Sequence, residues 1–260
     1  MSERRHFALL VLLVCTAPLA FGQQAGLRVA AAADLQPLLP ALLDSFQQQT
    51  GIHCEASYQS SATLATEIID GAPFDLFLAA DLSFPQRVVE AGRAEEANPI
   101  PYARGTLVIW TRNDSGLAAL SLGILRNPKV RTIAIANPRH APYGRAARAT
   151  LEHTGLYDVL HSKLVIAENI AQAAQYADSS NAQVGFISLT SALTPRLQHD
   201  GHFVGIPADD YPPLVQGAVV VRDAAHASAA QRFLDFLHTP GAAHALKSGG
   251  LEPIPSGSGR

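Results

Sequence analysis

The sequence predicts an α/β protein whose sheets are mostly parallel and flanked by helices. Short apolar runs alternate with amphipathic runs of helical period along most of the chain, and glycine or proline residues separate them. The first run, Leu27–Ala33, is nearly all apolar, as in a strand that is buried on both faces. The 260 residues are enough for one large domain or for two of about 100 residues each.

Strands are predicted where short apolar runs are bounded by turn residues. In chain order they are Leu27–Ala33, His53–Tyr58, Phe74–Ala80, Gly105–Trp110, Arg131–Ala136, Lys163–Ala167, Gln183–Ile187 and Leu214–Val221. Helices are predicted where the apolar period is 3.6 and a stop signal follows. They are Leu38–Gln49, Thr63–Asp70, Ser83–Ala91, Leu117–Arg126, Tyr143–His153, Asn169–Ala177, Ser228–His238 and Ala242–Lys247. Pro40 predicts a kink or a late start in the first helix, and Ser228 is the expected cap of the seventh.

The first 22 residues have the pattern of a secretory signal peptide. A basic start is followed by a short apolar run from Phe7 to Phe21, and the expected cleavage follows Gly22. The alternative is a lipid anchor on Cys15, which Val14 disfavours because a small residue is expected before a lipidated cysteine. The sequence therefore predicts a periplasmic protein, secreted through a cleaved signal peptide.

The net charge argues against some classes of binding partner, and the cysteine count argues against a disulfide. Removal of the leader takes away Glu3, Arg4 and Arg5, so the net charge changes from −3 to −4. A mildly acidic chain is a poor partner for nucleic acid or for anionic lipid. Loss of Cys15 would leave Cys54 as the only cysteine, so no intrachain disulfide is expected.

Four junctions between a predicted strand and a predicted helix carry small or hydroxyl-bearing residues. They follow Ala33, follow Tyr58, span His140–Gly144 and span Glu168–Ile170. In parallel sheets ligands collect at the carboxyl ends of strands, beside helix N-termini whose N–H groups bind anions. Each junction also has a simpler interpretation, since Ser60 or Ser61 can cap a helix and Asp34 is a good capping residue.

Signatures of catalysis are lacking in the sequence. It contains no Gly-x-Ser-x-Gly elbow, no phosphate-binding glycine loop and no His-Glu-x-x-His, and its ten histidines lack metal-ligand spacing. We therefore expect a binding protein that is not an enzyme and that has neither a metal site nor a cofactor.

Six short segments together resemble the periplasmic molybdate-binding proteins that feed ABC importers. They are Val29–Leu35, Ser60–Leu64, Gly71–Asp81, Ala136–Gly144, Ala167–Ile170 and Gly185–Ile187, and the resemblance extends from about Leu27 to Pro253. It implies the two-lobed fold of type II periplasmic binding proteins, with molybdate or tungstate held between the lobes and delivered to a membrane permease. We expect a monomer in which residues 23–104 and 207–260 form lobe 1 and residues 105–206 form lobe 2, with crossings near Ala103–Gly105 and Val204–Pro207.

The resemblance also implies the residues that contact the oxyanion. Carried over by position, they are Ala33, Asp34, Ser61, Tyr143 and Ile170, with Ser60 and Ser188 as further candidates. In one branch of the family the segment after Gly185 supplies a ligand tyrosine. This chain has Ser188 there and instead carries Tyr143 in its proline-rich loop, as in the other branch.

Asp34 departs from the family pattern, which has Ser, Thr or Asn at this position. Unit charges 4 Å apart repel by roughly 4 kcal/mol in a surface-like dielectric, so a carboxylate aimed at a dianion would weaken binding. We expect Asp34 to turn its side chain away as a helix cap and to offer at most its N–H. The alternative is that Asp34 accepts a proton from a protonated oxyanion such as phosphate. Sulfate, phosphate or a small organic anion remain alternative ligands, and a secreted α/β hydrolase is the alternative from another class.

Overall fold

The computed structural model describes residues 26–117 and 119–255. The proposed signal peptide, Cys15 and the Gly/Ser-rich end of the chain lie outside these residues. No helix in the described part of the chain has the length and apolar character needed to cross a membrane.

Eleven strands are present in the described residues. They are β1 (Leu27–Ala32), β2 (Cys54–Gln59), β3 (Leu76–Ala79), β4 (Ile100–Gly105), β5 (Leu107–Arg112), β6 (Ile133–Ala136), β7 (Leu164–Ala167), β8 (Val184–Ser188), β9 (Gly201–Gly205), β10 (Leu214–Val220) and β11 (Glu252–Pro253). Each strand predicted from the apolar runs is found, with ends displaced by at most two residues. The strands β4, β9 and β11 were not predicted.

The α-helices of the described residues are α1 (Leu39–Thr50), α2 (Ser61–Ile69), α3 (Ser83–Glu90), α4 (Pro142–His153), α5 (Tyr157–Leu160), α6 (Ile170–Asp178), α7 (Leu189–Ala192), α8 (Pro195–Asp200), α9 (Ala227–Leu237) and α10 (Pro240–Ser248). The late start predicted for α1 is confirmed, because Pro40 occupies one of its first two positions, where no N–H is needed. The helix predicted over Leu117–Arg126 is wrong, since only a 3₁₀ turn forms at Leu122–Arg126. The predicted cap Ser228 is also wrong, because α9 begins one residue earlier and no side chain caps it.

The strands form two separate sheets. The six-stranded sheet has the order β11-β4-β10-β3-β1-β2 and the five-stranded sheet has the order β7-β6-β8-β5-β9. The two-sheet α/β class agrees with the prediction, but both sheets are mixed rather than mostly parallel. β1 pairs in parallel with β2 and β3, and β6 with β7 and β8, whereas the pairs that involve β10 or β5 are antiparallel.

The chain passes between the sheets twice. β4 ends at Gly105 in the six-stranded sheet, and β5 begins at Leu107 in the other; the return lies between Gly205 and Leu214. An irregularity in the β4–β10 register leaves Tyr102 as an extra residue, because Gln216 pairs with Ala103 while Gly217 pairs with Pro101. Such a bulge turns a side chain out of the regular alternation.

Helices cover both faces of the six-stranded sheet. On one face Phe46 of α1 meets Phe233 of α9 edge-on, with ring centroids 5.2 Å apart. On the other face Leu64 and Ile68 of α2 pack with Val88 of α3. The buried faces of both sheets are mainly apolar, and Gln216 of β10 and Thr111 of β5 are among the few buried polar residues within the strands.

Candidate functional site

A small cleft lies where the carboxyl ends of β1, β2 and β3 face the first turns of α4 and α6. It is lined by Ala32, Ala33, Asp34, Gln59, Ser60, Ser61, Ala80, Ala141, Pro142, Tyr143, Asn169 and Ile170. The cleft therefore brings together five residues predicted to contact the ligand, Ala33, Asp34, Ser61, Tyr143 and Ile170, and also the candidate Ser60. Ser188 is not among the lining residues.

The serine wall, Ser60–Ser61, begins α2. Ser60 is the N-cap, and its hydroxyl oxygen accepts a hydrogen bond from the Thr63 N–H at 3.2 Å. The Ser61 hydroxyl oxygen accepts from the Ala80 N–H at 3.1 Å, across to the end of β3. Since the oxygen of Ser61 is used as an acceptor, its hydrogen is directed elsewhere and can be donated to a group in the cleft.

Fewer helix-start N–H groups are available at the serine wall than the sequence suggests. The Thr63 N–H is taken by Ser60, and the Ala62 N–H donates to the His140 carbonyl at 3.1 Å. This second bond joins the α2 start to the proline-rich loop before α4. The two sides of the cleft are therefore in direct contact.

The turn after β1 is a 3₁₀ turn, Ala33–Leu35, and Asp34 lies inside it with its side chain fully buried. The expectation that Asp34 caps a helix is wrong, because no side chain caps this turn. Its carboxylate oxygen Oδ2 accepts instead from the Gln216 amide nitrogen on β10. Thr190 donates its hydroxyl to the Asp34 carbonyl at 2.6 Å, which fixes the turn from the side of the other sheet.

Burial dominates the acid–base properties of Asp34. Removal of the carboxyl from water raises its pKa from 3.8 to about 7, although the hydrogen bond from Gln216 and the nearby Tyr143 hydroxyl act in the opposite direction. Burial likewise raises the pKa values of Tyr102 and Tyr143, and the negative charge of Asp34 raises them further. Both phenols therefore remain protonated and keep a hydrogen to donate.

Tyr143 enters the cleft from the first turn of α4, directly after Pro142. Its side chain is buried, and its hydroxyl oxygen has no hydrogen-bond partner within the described residues. Gly105 makes room for it, since a Cβ at that position would lie 2.2 Å from the hydroxyl oxygen. Any larger residue at the crossing between the sheets would displace this hydroxyl.

Asn169 and Ile170 form the wall at the start of α6. The Asn169 side chain caps the helix by accepting from the Gln172 N–H at 3.0 Å. Ile170 is the first residue of the helix, so its N–H has no carbonyl of a preceding helical turn to bind. This agrees with a role in which Ile170 offers its backbone and not its side chain.

Ser188 occupies a position behind the cleft wall. Its hydroxyl oxygen caps α7 by accepting from the Ser191 N–H at 3.2 Å, and it lies 2.8 Å from the Thr190 hydroxyl oxygen. Thr190 in turn contacts the Asp34 carbonyl. Ser188 thus supports the turn that carries Asp34.

No lysine, arginine or histidine lines the cleft among the described residues. Arg145 of α4 lies outside it, where it pairs with Asp81 after β3 and stacks on Phe84, 5.0 Å from the ring centroid. This contact joins α4 to the segment that follows β3. A dianion would therefore meet hydroxyl and N–H donors rather than a cation.

The described residues contain no group of three or more His, Cys, Asp or Glu side chains that could hold a metal ion. Cys54 is half-buried, and burial raises the pKa of its thiol to about 11, which makes it a poor nucleophile.

Sequence reasoning missed Gln216, Tyr102, Thr190 and Gly105. Asp34 and Gln216 are 182 residues apart, and Asp34 and Thr190 are 156 apart. No local pattern marks such partners, because each is an ordinary residue of a strand or a short helix until the sheets assemble. The bulge at Tyr102 has a weak signal in Pro101, a residue that disrupts regular pairing.

The comparisons with known proteins agree with this architecture. Residues 27–252 match the family described as bacterial extracellular solute-binding proteins. The molybdate-binding protein ModA of Rhodobacter capsulatus is 35% identical over 205 residues, which are 79% of each chain. ModA of Azotobacter vinelandii is 33% identical over 239 residues, which are 92% of each chain. The structure of the periplasmic molybdate-binding protein of Azotobacter vinelandii superposes with a TM-score of 0.82 at 32% identity, and the match covers 88% of this chain and 100% of that one.

Proposed function

The chain belongs to the bacterial extracellular solute-binding protein family, and from this premise we propose that it captures molybdate, and tungstate as well, in the cleft and delivers it to an ABC importer. One observation carries the proposal. Hydrogen-bond donors from two hydroxyls and several helix N-termini line one small cleft, and no lysine, arginine or histidine is among its described lining residues. The relatives that bear the name of molybdate-binding proteins support the choice of ligand.

A dianion suits these donors for a physical reason. Molybdate is fully deprotonated at neutral pH and can only accept hydrogen bonds. The N-termini of α2, α4 and α6 meet at the cleft, and each contributes a partial positive charge equivalent to roughly half an elementary charge. Three such ends offset much of a double negative charge without the desolvation cost of a buried lysine or arginine.

The roles of the individual residues are assigned by their position at the cleft. Ser61 and Tyr143 donate their hydroxyl hydrogens to the oxyanion, and Ala33, Asp34 and Ile170 donate their backbone N–H groups. Ser60 acts through its cap on α2 rather than through a direct contact. Ser188 acts from behind, through Thr190.

The cleft is small. Its free volume is about 10 Å³, close to the room of one water molecule, so its walls lie close together. A modest opening admits a tetrahedral ion, whereas a sugar or a peptide requires the walls to separate.

We assign residues 23–104 and 207–260 to lobe 1 and residues 105–206 to lobe 2, and we propose that a hinge at the two crossings opens and closes the cleft.

The remaining assignments are proposals that the family and the N-terminal sequence support. A member of this family is a carrier, and we propose that this one is monomeric, performs no catalysis, acts in the periplasm and presents its closed form to the permease. Its mature chain would begin at Gln23 after signal cleavage. Intact mass of the protein secreted by a bacterial host measures the cleavage site directly.

Isothermal titration of the purified protein with molybdate, tungstate, sulfate and phosphate tests the ligand. We expect molybdate and tungstate to bind at micromolar concentration or below, and sulfate and phosphate to bind at least about 100-fold more weakly. Calorimetry is preferable to tryptophan fluorescence, because Trp110 is buried in β5 and donates to the Leu197 carbonyl, away from the cleft. Heat from sulfate or phosphate alone would reject molybdate as the ligand, and turnover of phosphate or carboxylic esters would reject the carrier role.

A further inference from the structure

A cluster of buried polar side chains lies behind the Asp34 turn. The Tyr102 hydroxyl donates to Gln216 Oε1 at 2.6 Å, and Gln216 Nε2 donates to Asp34 Oδ2. These bonds leave Asp34 Oδ1 without a hydrogen-bond partner in the described part of the chain, and the same is true of the Tyr143 hydroxyl oxygen. The Asp34 carboxyl faces that hydroxyl. Two unsatisfied buried atoms thus meet beside the cleft.

The protonation state of Asp34 decides where the Tyr143 hydrogen points. An ionised carboxylate can only accept, so it draws the phenolic hydrogen of Tyr143 toward itself and away from the cleft. A carboxyl protonated on Oδ1 becomes a donor to the Tyr143 oxygen, and the phenolic hydrogen must then point elsewhere. Oδ2 accepts from Gln216 in both cases. Only the protonated form therefore frees Tyr143 to donate to an anion.

We propose that a proton on Asp34 Oδ1 positions the Tyr143 hydroxyl toward the oxyanion, so that binding of a dianion takes up one proton wherever Asp34 is otherwise ionised. This inference rests on the proposed function, since it concerns the same cleft. Asp34 is a positioning residue in this scheme: its side chain acts on the ligand through Tyr143. The proton comes from the solvent and remains on the carboxyl while the ligand is bound.

The surroundings of Asp34 favour the neutral form. The groups that face its carboxyl are the Gln216 amide of β10 and the Tyr143 phenol of α4, with the Tyr102 phenol of β4 behind Gln216. None of these groups is a cation. Tyr211 lies close enough to Tyr143 to raise the pKa of the Tyr143 phenol. The pKa of Asp34 is already about 7 because of burial. A dianion close by raises it further, since like charges disfavour ionisation.

The affinity for molybdate as a function of pH tests the inference. Between about pH 7 and pH 9 molybdate stays a dianion, and we expect the wild-type Kd to rise by about tenfold per pH unit above the pKa of Asp34 in the free protein. Titration in two buffers of different ionisation enthalpy should show uptake of about one proton per ligand at about pH 8. In Asp34→Asn the amide donates to Tyr143 at every pH, so its Kd should stay flat and fall below the wild-type value at about pH 9.

Two further variants separate positioning from simple charge repulsion. The matched control Glu90→Gln removes an exposed carboxylate at the end of α3, outside the residues that line the cleft, and it should keep the wild-type pH profile. In a Tyr143→Phe background the relief of charge repulsion remains but the positioning effect is lost, so Asp34→Asn should improve binding at about pH 9 by clearly less than it does when Tyr143 is present. Equal improvement in both backgrounds would mean that Asp34 acts directly on the ligand and would overturn the positioning role.

The outcomes also distinguish a failure of this inference from a failure of the proposed function, molybdate binding. Molybdate binding with a Kd that is constant from about pH 7 to pH 9, without proton uptake, overturns the inference and leaves the function intact. No binding at any pH overturns the function itself.

Discussion

The serine wall and the Asp34 turn are both strand-to-helix junctions at the same cleft, yet they are built differently. Ser60 forms a hydrogen bond with Thr63, three residues away in the chain, and Ser61 forms one with Ala80, nineteen residues away. Asp34 finds Gln216 across 182 residues. The first junction consists of neutral donors and caps set by nearby sequence, whereas the second is an ionisable group whose behaviour depends on distant strands.

The difference assigns separate tasks to the two walls. Hydroxyls and N–H groups keep their hydrogens across the physiological pH range, so the serine wall binds an anion in the same way at any such pH. The buried carboxyl changes charge near neutrality, so the Asp34 turn makes the cleft respond to pH. Four substitutions sharpen this contrast, in order of decreasing effect.

Asp34→Asn should have the largest effect, on the pH dependence of folding. The folded-state pKa of Asp34 is about 7 against 3.8 in the unfolded chain, so the native state binds more protons between these values. Protonated Asp34 therefore stabilises the folded protein. Its contribution to the free energy of unfolding is complete below about pH 4 and is lost as the pH rises through about 7. We expect the free energy of unfolding of wild type, minus that of the variant, to fall by about 4 kcal/mol between pH 4 and pH 8.

Urea unfolding at a series of pH values measures this difference, with Glu90→Gln as the control for an exposed carboxylate. A difference that does not change with pH would show that Asp34 titrates normally in the folded protein.

Gln216→Leu should destabilise the fold by about 3 kcal/mol, since it leaves the Tyr102 hydroxyl and Asp34 Oδ2 unsatisfied in the core. The Gln216 bond favours the ionised carboxyl, so the loss should be greater at pH 8 than at pH 5. Thermal unfolding at both values checks the order. An equal loss at both would mean that Gln216 is only a packing residue.

Ser61→Ala should act on binding. It removes a hydroxyl donor to the charged ligand, which is worth about 1.5–3 kcal/mol, so the Kd for molybdate should rise by about 10- to 100-fold. This penalty should be the same at about pH 7 and at about pH 9. A penalty that changes with pH would contradict the assignment of pH dependence to Asp34 alone.

Ser60→Ala is the matched comparison for Ser61→Ala, and it should have the smallest effect of the four substitutions. Loss of the cap on α2 should lower stability by about 1 kcal/mol and weaken molybdate binding by less than about threefold. Calorimetry on both serine variants compares them directly. A Ser60 penalty on binding as large as that of Ser61 would mean that Ser60 contacts the ligand itself.

Local patterns were sufficient for most elements. The strands from β1 to β3 and from β5 to β8 follow from apolar runs bounded by turn residues, because such runs must be buried to be stable. Prediction failed at Leu117–Arg126, where Gly123 interrupts the helical pattern and only a 3₁₀ turn forms at its end. It also failed at β4, where Pro101 and a bulge conceal a strand that pairs with the distant strands β10 and β11.

The amino-acid sequence by itself determined the alternation of strands and helices, the serine cap on α2 and six of the residues that line the cleft. These depend on periodicity, on nearby hydrogen bonds and on resemblance along the chain. Only the tertiary structure decided the role of Asp34. The sequence suggested a helix cap, and assembly of the two sheets placed this carboxyl between Gln216 and Tyr143, where removal from water controls its charge. Burial is a property of the whole fold, so the pKa of Asp34 could not be read from its neighbours in the chain.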